Sequence, residues 1–313
     1  MKGKDYLHVA VGVIRDGQGN ILISLRHDTA HQGGLWEFPG GKVESGESVE
    51  RALARELKEE LDISIDEISP LIQIKHQYAD LNVLLDVWSV TLFSGIPKGS
   101  EGQEIKWVTA DQLTDYSFPE ANIPIISAAR LPAEYAILNA GNQAELLRNL
   151  NLLLDDGIKL IQARLKFLPA FEVAGFMTLA MPLCEQKGAR LLINSALEDA
   201  NQLKVDGIHL TSRDLLALKQ RPEGGGWVAA SCHNQQELEH AERIGVDFAV
   251  LAPVLHTKTH PDTEPLGWDK FKQLVNRVNI PIFALGGMET TDQHIAQSAG
   301  AQGIAGISCF LKK

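Results

Sequence analysis

The sequence predicts an α/β chain of two domains: a mixed sheet with helices packed on it over residues 1–131, and a parallel eight-stranded βα barrel over residues 132–313. Three observations carry this. A chain of 313 residues is long for one hydrophobic core and suits two. Before about residue 131, short strand-like runs dominate and flank turn signals. After Leu131-Pro132 the rhythm becomes strand, helix, strand, helix.

In the first half, VAVGVI (9–14) and ILISL (21–25) flank the turn RDGQGN and read as a hairpin. LIQIKH (71–76) and VLLDVWSVTL (83–92) flank QYADLN and read as a second one. Between the hairpins the spacing predicts a helix from about 47 to 61, with Val49, Ala52, Leu53, Leu57 and Leu61 as its apolar stripe. A second helix is predicted over 122–130. In the second half the strands are YAIL (135–138), IKLIQAR (158–164), ARLLIN (189–194), GIHL (207–210), WVAAS (227–231), FAVLAP (248–253), IPIFAL (280–285) and GIAGIS (303–308). Amphipathic stretches such as AELLRNLNLLLDDG, QQELEHAERIG and DKFKQLVNRV separate them. Eight strands with intervening helices predict a closed parallel barrel, with an eighth helix missing or reduced to a stub at CFLKK. The sequence shows no long linker between the halves.

Composition narrows the function. Hydrophobic residues make up 44%, ample for globular folding. A net charge of −11 argues against a nucleic-acid polymer, whose partners are normally basic. A small anionic ligand remains compatible if metal ions or local cations meet it. Cys184, Cys232 and Cys309 are widely spaced and form no disulfide framework, so a cytoplasmic setting is expected. The apolar run near the N-terminus is too short for a signal peptide or a membrane span. The oligomeric state is not legible.

The stretch GGKVESGESVERALARELKEEL places Glu56, Glu59 and Glu60 on one helix face, where like charges repel by a few tenths of a kcal/mol. Such a run is either a solvated acidic face or a cation site, which reverses the sign of the cost. The longer pattern is Gly41, five residues, Glu47, seven residues, Arg55-Glu56-Leu57, one residue, Glu59-Glu60, one residue, Asp62-Ile63. This closely resembles the Nudix box, with Asp62 where glycine is usual. Asp tolerates the left-handed helix end better than most residues, so a slightly strained terminus is expected. The resemblance implies a Nudix α/β/α sandwich and Mg²⁺, with Mn²⁺ as the alternative, held by Gly41, Glu56, Glu59 and Glu60. Glycines at Gly40-Gly41 let the backbone approach the ion. Arg55 pairs with a carboxylate to hold it, or forms an ordinary surface pair. Glu47 braces the loop at the helix N-terminus.

The stretches HVAVGVIRDGQGNILISLR, LWEFPGGKVESGES, EGQEIKWV and FPEANIPII resemble the MutT subgroup, which hydrolyses oxidised guanine nucleotides, over residues 8 to about 130. That resemblance assigns Glu101, with Glu104 competing, as a further metal ligand or base. It assigns Arg26, His31, Phe38 and Asn122 to the substrate. Asn122 reads a purine edge, since an amide both donates and accepts, or merely caps the following helix. His31 near the nucleotide is weighed against an ordinary loop histidine.

The second half resembles thiamine-phosphate synthase and its TenI-like relatives over about 133–310, through QARLK, LLINS, DGIHLTSRD, ASCHN, LAPVLHTKTH, LGG and GIS in order. The implied fold is a TIM-type barrel with its site at the C-terminal strand ends. The implied ligand residues are Gln162, Arg164, Lys166, Asn194, Asp214, Thr257, Thr259, Gly286, Gly287 and Ser308. The two glycines and Ser308 offer backbone amides to a phosphate, although tight turns explain glycines equally well. Two positions depart from the family: Ser195 stands where it has a metal-binding Asp, and His260 where it has a Lys, with Lys258 nearby as a substitute. His256 and His260 are more simply loop histidines than a metal pair, and His209 is expected to pack at the barrel mouth. The reading is a pyrophosphohydrolase acting on oxidised purine nucleoside triphosphates, joined to a barrel that binds a phosphorylated small molecule and has weakened synthase capacity. A thiamine-pathway diphosphate substrate and a purely sensing or scaffolding barrel are the alternatives.

Overall fold

A computed structural model of the chain describes residues 6–29, 31–197, 203–257 and 263–311. It divides into two compact units, Met1–Arg130 and Leu131–Lys313.

The first unit has two sheets. One runs in the order β4 (Gly40–Lys42), β1 (Leu7–Ile14), β6 (Asn82–Ser94), β5 (Ser64–Gln77). The other runs β3 (Trp36–Glu37), β2 (Ile21–Leu25), β7 (Ile105–Val108). The expected second hairpin is present, with β5 and β6 antiparallel down to the Gln77–Asn82 pair. The first is corrected: only Arg15 and Ile21 bridge, after which β1 and β2 enter different sheets. The cause is competition for partners. β1 is taken by β4 and, in parallel, by β6, while β2 pairs with β7. Helix α1 (Val49–Leu61) buries Ala52, Leu53, Leu57 and Leu61 against Ala10, Ile14, Leu22 and Val90. Its N-cap is Ser48, whose side chain accepts from Arg51 N. Its C-cap is Asp62 at φ 57°, the left-handed turn that the sequence leads one to expect there. Helix α2 (Ile123–Arg130) follows a short 3₁₀ turn at Glu120–Asn122 and buries Ile125, Ile126, Ala128 and Ala129 with Val11, Val13 and Phe38. Helices therefore cover both faces of the mixed sheet.

The second unit is a closed barrel of eight parallel strands. In chain order these are β8 (Glu134–Leu138), β9 (Leu160–Ala163), β10 (Arg190–Asn194), β11 (Gly207–Leu210), β12 (Trp227–Cys232), β13 (Phe248–Leu251), β14 (Ile282–Leu285) and β15 (Gly303–Gly306). The helices around it are α3 (Gln143–Asp155), α4 (Ala170–Gln186), α5 (Ser212–Ala217), α6 (Gln235–Ile244), α7 (Gly267–Val275) and α8 (Gln293–Ser298). Residues 307–311 form turns after β15. Alternation along each strand decides what faces inward. Tyr135, Leu160, Leu192, Trp227, Phe248, Val250 and Phe283 fill the interior. Gln162, Asn194, His209 and Ser231 share that inward register one step nearer the C-terminal strand ends.

Candidate functional site

In the first unit, α1 presents its carboxylates toward the loop of β4. The Glu60 Oε2 accepts from Gly40 N at 3.2 Å. A Cβ at Gly41 would fall on the Glu56 carboxylate, and a Cβ at Gly40, whose φ is 150°, would fall on Ala10 O. Only glycines allow this close approach. Arg55 sits at the centre of the acidic face. It donates to Glu47 Oε1 and Oε2 at 3.2 and 3.0 Å, to Glu56 Oε1 at 2.7 Å, to Glu59 Oε2 at 3.4 Å and to Lys42 O at 3.0 Å. These bonds hold the Glu47 carboxyl below the usual range and raise the Arg55 guanidinium further. Glu47 thus braces the loop through Arg55.

Burial pushes the Glu60 carboxyl up to about 8, with the charges of Glu37, Glu56 and Glu101 adding to the lift. Glu37, which sequence reasoning missed, is itself raised by burial and only partly held down by its ion pair with Arg26. Four carboxylates thus face one centre of negative potential. As the side chains stand, no three His, Cys, Asp or Glu among the described residues are gathered closely enough to hold an ion. The donor set nevertheless fits a hard divalent cation: all oxygen, mutually repelling, beside glycine backbone that no side chain shields. Glu101 fits better than Glu104, whose carboxylate pairs with Lys106 at 3.0 Å.

Beside this centre lies a cavity of about 440 Å³, lined by Arg26, His31, Glu37, Phe38, Gly40, Gly41, Tyr78 and Asn122 among others. Phe38 stacks on Phe118 at 5.3 Å and stiffens one wall. Tyr78 packs edge-on to His31 at 5.0 Å. Arg26 donates to His31 O at 3.0 and 2.7 Å, so it anchors that loop as well as Glu37. Asn122 is buried, at 9% exposure. It ends the 3₁₀ turn Glu120–Asn122 ahead of α2 and lines the cavity, and no hydrogen bond of its side-chain amide is seen among the described residues.

In the second unit a cavity of about 320 Å³ opens at the C-terminal strand ends. Of the expected residues, Gln162, Arg164, Asn194, Thr257 and Gly286 line it. Gly287 neighbours it at φ 72°, where a Cβ would fall on His256 O. Lys166 and Ser308 are exposed and do not line it. Thr259, with Lys258 and His260, lies outside the described residues. His209, expected at the barrel mouth, lines the cavity but is almost wholly buried. Ser231 and His233, which sequence reasoning also missed, line it too, and His233 Nδ1 lies 3.0 Å from Glu237 Oε2. Their signal was position alone, at the end of β12.

Asp214 is not part of the lining. Its Oδ2 accepts from Ser195 Oγ at 2.5 Å and from Thr211 Oγ1 at 2.7 Å. Ser195 Oγ in turn accepts from Thr211 N at 2.9 Å. Burial raises the Asp214 carboxyl, but the bonds from Ser195, Thr211 and Arg213 outweigh it and leave it lowered. One carboxylate already committed to hydroxyl donors, beside a neutral Ser195, does not fit a divalent cation.

The NUDIX domain model matches residues 10–128, and the thiamine monophosphate synthase model matches residues 134–310. The 8-oxo-dGTP diphosphatase of Escherichia coli is 39% identical over 121 residues, covering 39% of this chain and 94% of that protein. The CTP pyrophosphohydrolase of the same organism is 35% identical over 118 residues, covering 38% and 87%. The putative thiamine-phosphate synthase 2 of Aquifex aeolicus is 33% identical over 184 residues, covering 58% and 99%.

Proposed function

We propose a reaction for this chain, which belongs to the NUDIX domain family through its first unit and to the thiamine monophosphate synthase family through its second. The first unit is a hydrolase of phosphoanhydride bonds. Its proposed reaction converts a purine nucleoside triphosphate and water to the monophosphate and diphosphate, with oxidised dGTP as the favoured substrate. The observation that carries the purine reading is Asn122: a buried amide, free of protein partners, facing a nucleotide-sized cavity beside the carboxylates. Its donor and acceptor match a purine edge that presents both. Glu56, Glu59, Glu60 and Glu101 are the proposed holders of Mg²⁺ or Mn²⁺, with Gly41 offering backbone. The bound ion would neutralise the substrate's phosphates and lower the pKa of water. Arg55 keeps Glu56 and Glu47 in place. Phe38, Tyr78 and His31 line the same cavity, and we assign Phe38 and Tyr78 to the base and His31 to the sugar.

The barrel is proposed to bind a phosphorylated small molecule and not to run a metal-dependent synthase step. The Ser195–Thr211–Asp214 bonds support this. The test is a release screen in Mg²⁺ over 8-oxo-dGTP, dGTP, dCTP, CTP and thiamine-type diphosphates. Oxidised dGTP is expected to have the highest kcat/KM, with diphosphate as product. A preference for CTP, the substrate named for one relative, would overturn the purine reading.

A further inference from the structure

We infer that Gln103 is a positioning residue for the first unit: its side-chain amide ties the backbone of Glu101 to the end of α1, and so sets where that carboxylate stands against Glu56, Glu59 and Glu60. This deepens the proposed hydrolase site and rests on Glu101 being one of its cation holders. Glu56, Glu59 and Glu60 share one helix and are aligned by it. Glu101 comes from the segment between β6 and β7, which must be brought to α1 separately.

The last carbonyls of a helix have no partner inside it. Here the segment supplies their donors. Lys98 N donates to Leu61 O at 3.1 Å and Ser100 N to Glu60 O at 2.9 Å. Gln103 Nε2 donates to the same Glu60 O at 3.0 Å. Gln103 Oε1 accepts from Glu101 N at 2.9 Å. These two neighbours fix which end of the amide is which, since a backbone carbonyl only accepts and a backbone N–H only donates. Neither a carboxylate nor an amine at this position makes both bonds. Glu60 thereby gathers two loops: its carboxylate accepts from Gly40 N at 3.2 Å, and its carbonyl holds the Glu101 segment.

A second link lies further out. Asp62, where the Nudix box usually has glycine, pairs with Lys98 at 2.9 Å and with Lys58. The Lys98 side chain is 65% exposed and that of Asp62 44%, and ion pairs so open to water hold weakly. Gln103 is half-buried and closes a tight turn. Gly102 N donates to Gly99 O at 3.1 Å, and a Cβ at Gly99 would fall on Gln103 O. The amide therefore holds the segment, and the Asp62–Lys98 pair is an outer clamp that can be lost. The departure from glycine at Asp62 is absorbed at the helix end and does not reach Glu101. Gln103 does not line the nucleotide-sized cavity, so its loss should act on the cation rather than on nucleotide binding.

The experiment titrates the full chain with Mn²⁺ alone, following the free ion by electron paramagnetic resonance, and measures diphosphate release from 8-oxo-dGTP alongside. Gln103→Ala should weaken Mn²⁺ by at least about tenfold, the loss typical when the partner of a metal ligand is removed, and lower kcat with KM nearly unchanged. Gln103→Met, which keeps the length of the side chain but offers neither bond, should do the same while preserving packing. In a Glu101→Gln background Gln103→Ala should cost nothing more, because its effect passes through Glu101. Asp62→Gly should stay within about twofold of wild type. Wild-type Mn²⁺ affinity in Gln103→Ala, beside a clear loss in Glu101→Gln, would overturn the inference and leave the hydrolase site standing. So would losses that multiply in the double variant, or a loss in Asp62→Gly as large as that in Gln103→Ala. Wild-type affinity in Glu101→Gln would remove Glu101 from the cation and take the inference with it.

Discussion

The carboxylates of α1 are held in two different ways, and the difference sets what substitution does. Glu47 and Glu56 are tied to Arg55, whereas Glu60 faces Glu37, Glu56 and Glu101 and is raised. Glu59, half exposed, has only the longer bond to Arg55. Glu59→Gln and Glu60→Gln remove a charge that a divalent cation needs while preserving shape. Turnover should fall by at least about a hundredfold, as at other charge-stabilising sites, with little loss of thermal stability. Near-normal hydrolysis by both variants would remove the cation from this face. Asn122 poses a separate question. It ends the 3₁₀ turn Glu120–Asn122 that leads into α2 and lines the cavity. Asn122→Ala should cost about 1–3 kcal/mol of binding for oxidised dGTP, the penalty for an unmet polar partner, and less for dCTP. Equal losses in the two KM values would show that the amide reads no base. At this scale the sequence made the glutamates legible because helical periodicity alone puts them together. Glu37 was hidden because its approach to Glu60 runs through space from a two-residue strand.

At the scale of elements, what the sequence shows depends on where the partners come from. The helix α1 was legible in its apolar stripe and its end, since four apolar residues bury and Asp62 closes it left-handed with Lys58 and Lys98 beside its carboxylate, whereas it starts at Val49 after a Ser48 cap rather than at 47. The β5–β6 hairpin was legible for the same local reason. The β1–β2 pair was not, since a turn sequence fixes a reversal but not which sheet the strands join afterwards. The barrel strands were visible as continuous apolar runs, the mark of parallel strands covered on both faces. The Tyr135–His209–Ser231 hydrogen-bond chain was invisible, because it joins β8 to β11 and β12 across sequence separations of 74 and 22 residues. It also gives the barrel a pH dependence. Burial depresses the His209 ring from the ordinary 6.5 to about 3. Between those values the unfolded chain binds a proton that the folded barrel refuses, so His209's contribution is full above 6.5 and is lost as pH falls toward 3. The barrel transition should drop by at least about 5 °C more in wild type than in His209→Gln between pH 7 and pH 4.5. Parallel melting curves for the two proteins would show that His209 is not held neutral.

For the whole molecule, the two proposed sites are of opposite electrostatic design. The first unit gathers carboxylates, which repel a phosphate until a cation intervenes. The barrel cavity has Arg164, amides and hydroxyls, and no lining carboxylate among the described residues, a lining suited to the anion proposed for it. That contrast bears on whether the barrel can synthesise thiamine phosphate. Such a synthesis must ionise a pyrimidine diphosphate, and the departing diphosphate needs cationic stabilisation. Asp214, which the resemblance matches to a second metal-binding Asp of the family, accepts from two hydroxyls, and Ser195 brings no charge. Lys166 is exposed and does not line the cavity. The chain given pyrimidine diphosphate, thiazole phosphate and Mg²⁺ should therefore form thiamine phosphate at least about a hundredfold more slowly than a synthase with both carboxylates, the scale of loss when charge stabilisation is removed. Ser195→Asp should recover part of that rate if the lost carboxylate is the cause. Wild-type turnover at a rate normal for a biosynthetic enzyme would mean that Asp214 exchanges its hydroxyl partners for a cation, and the chain would then be a bifunctional enzyme.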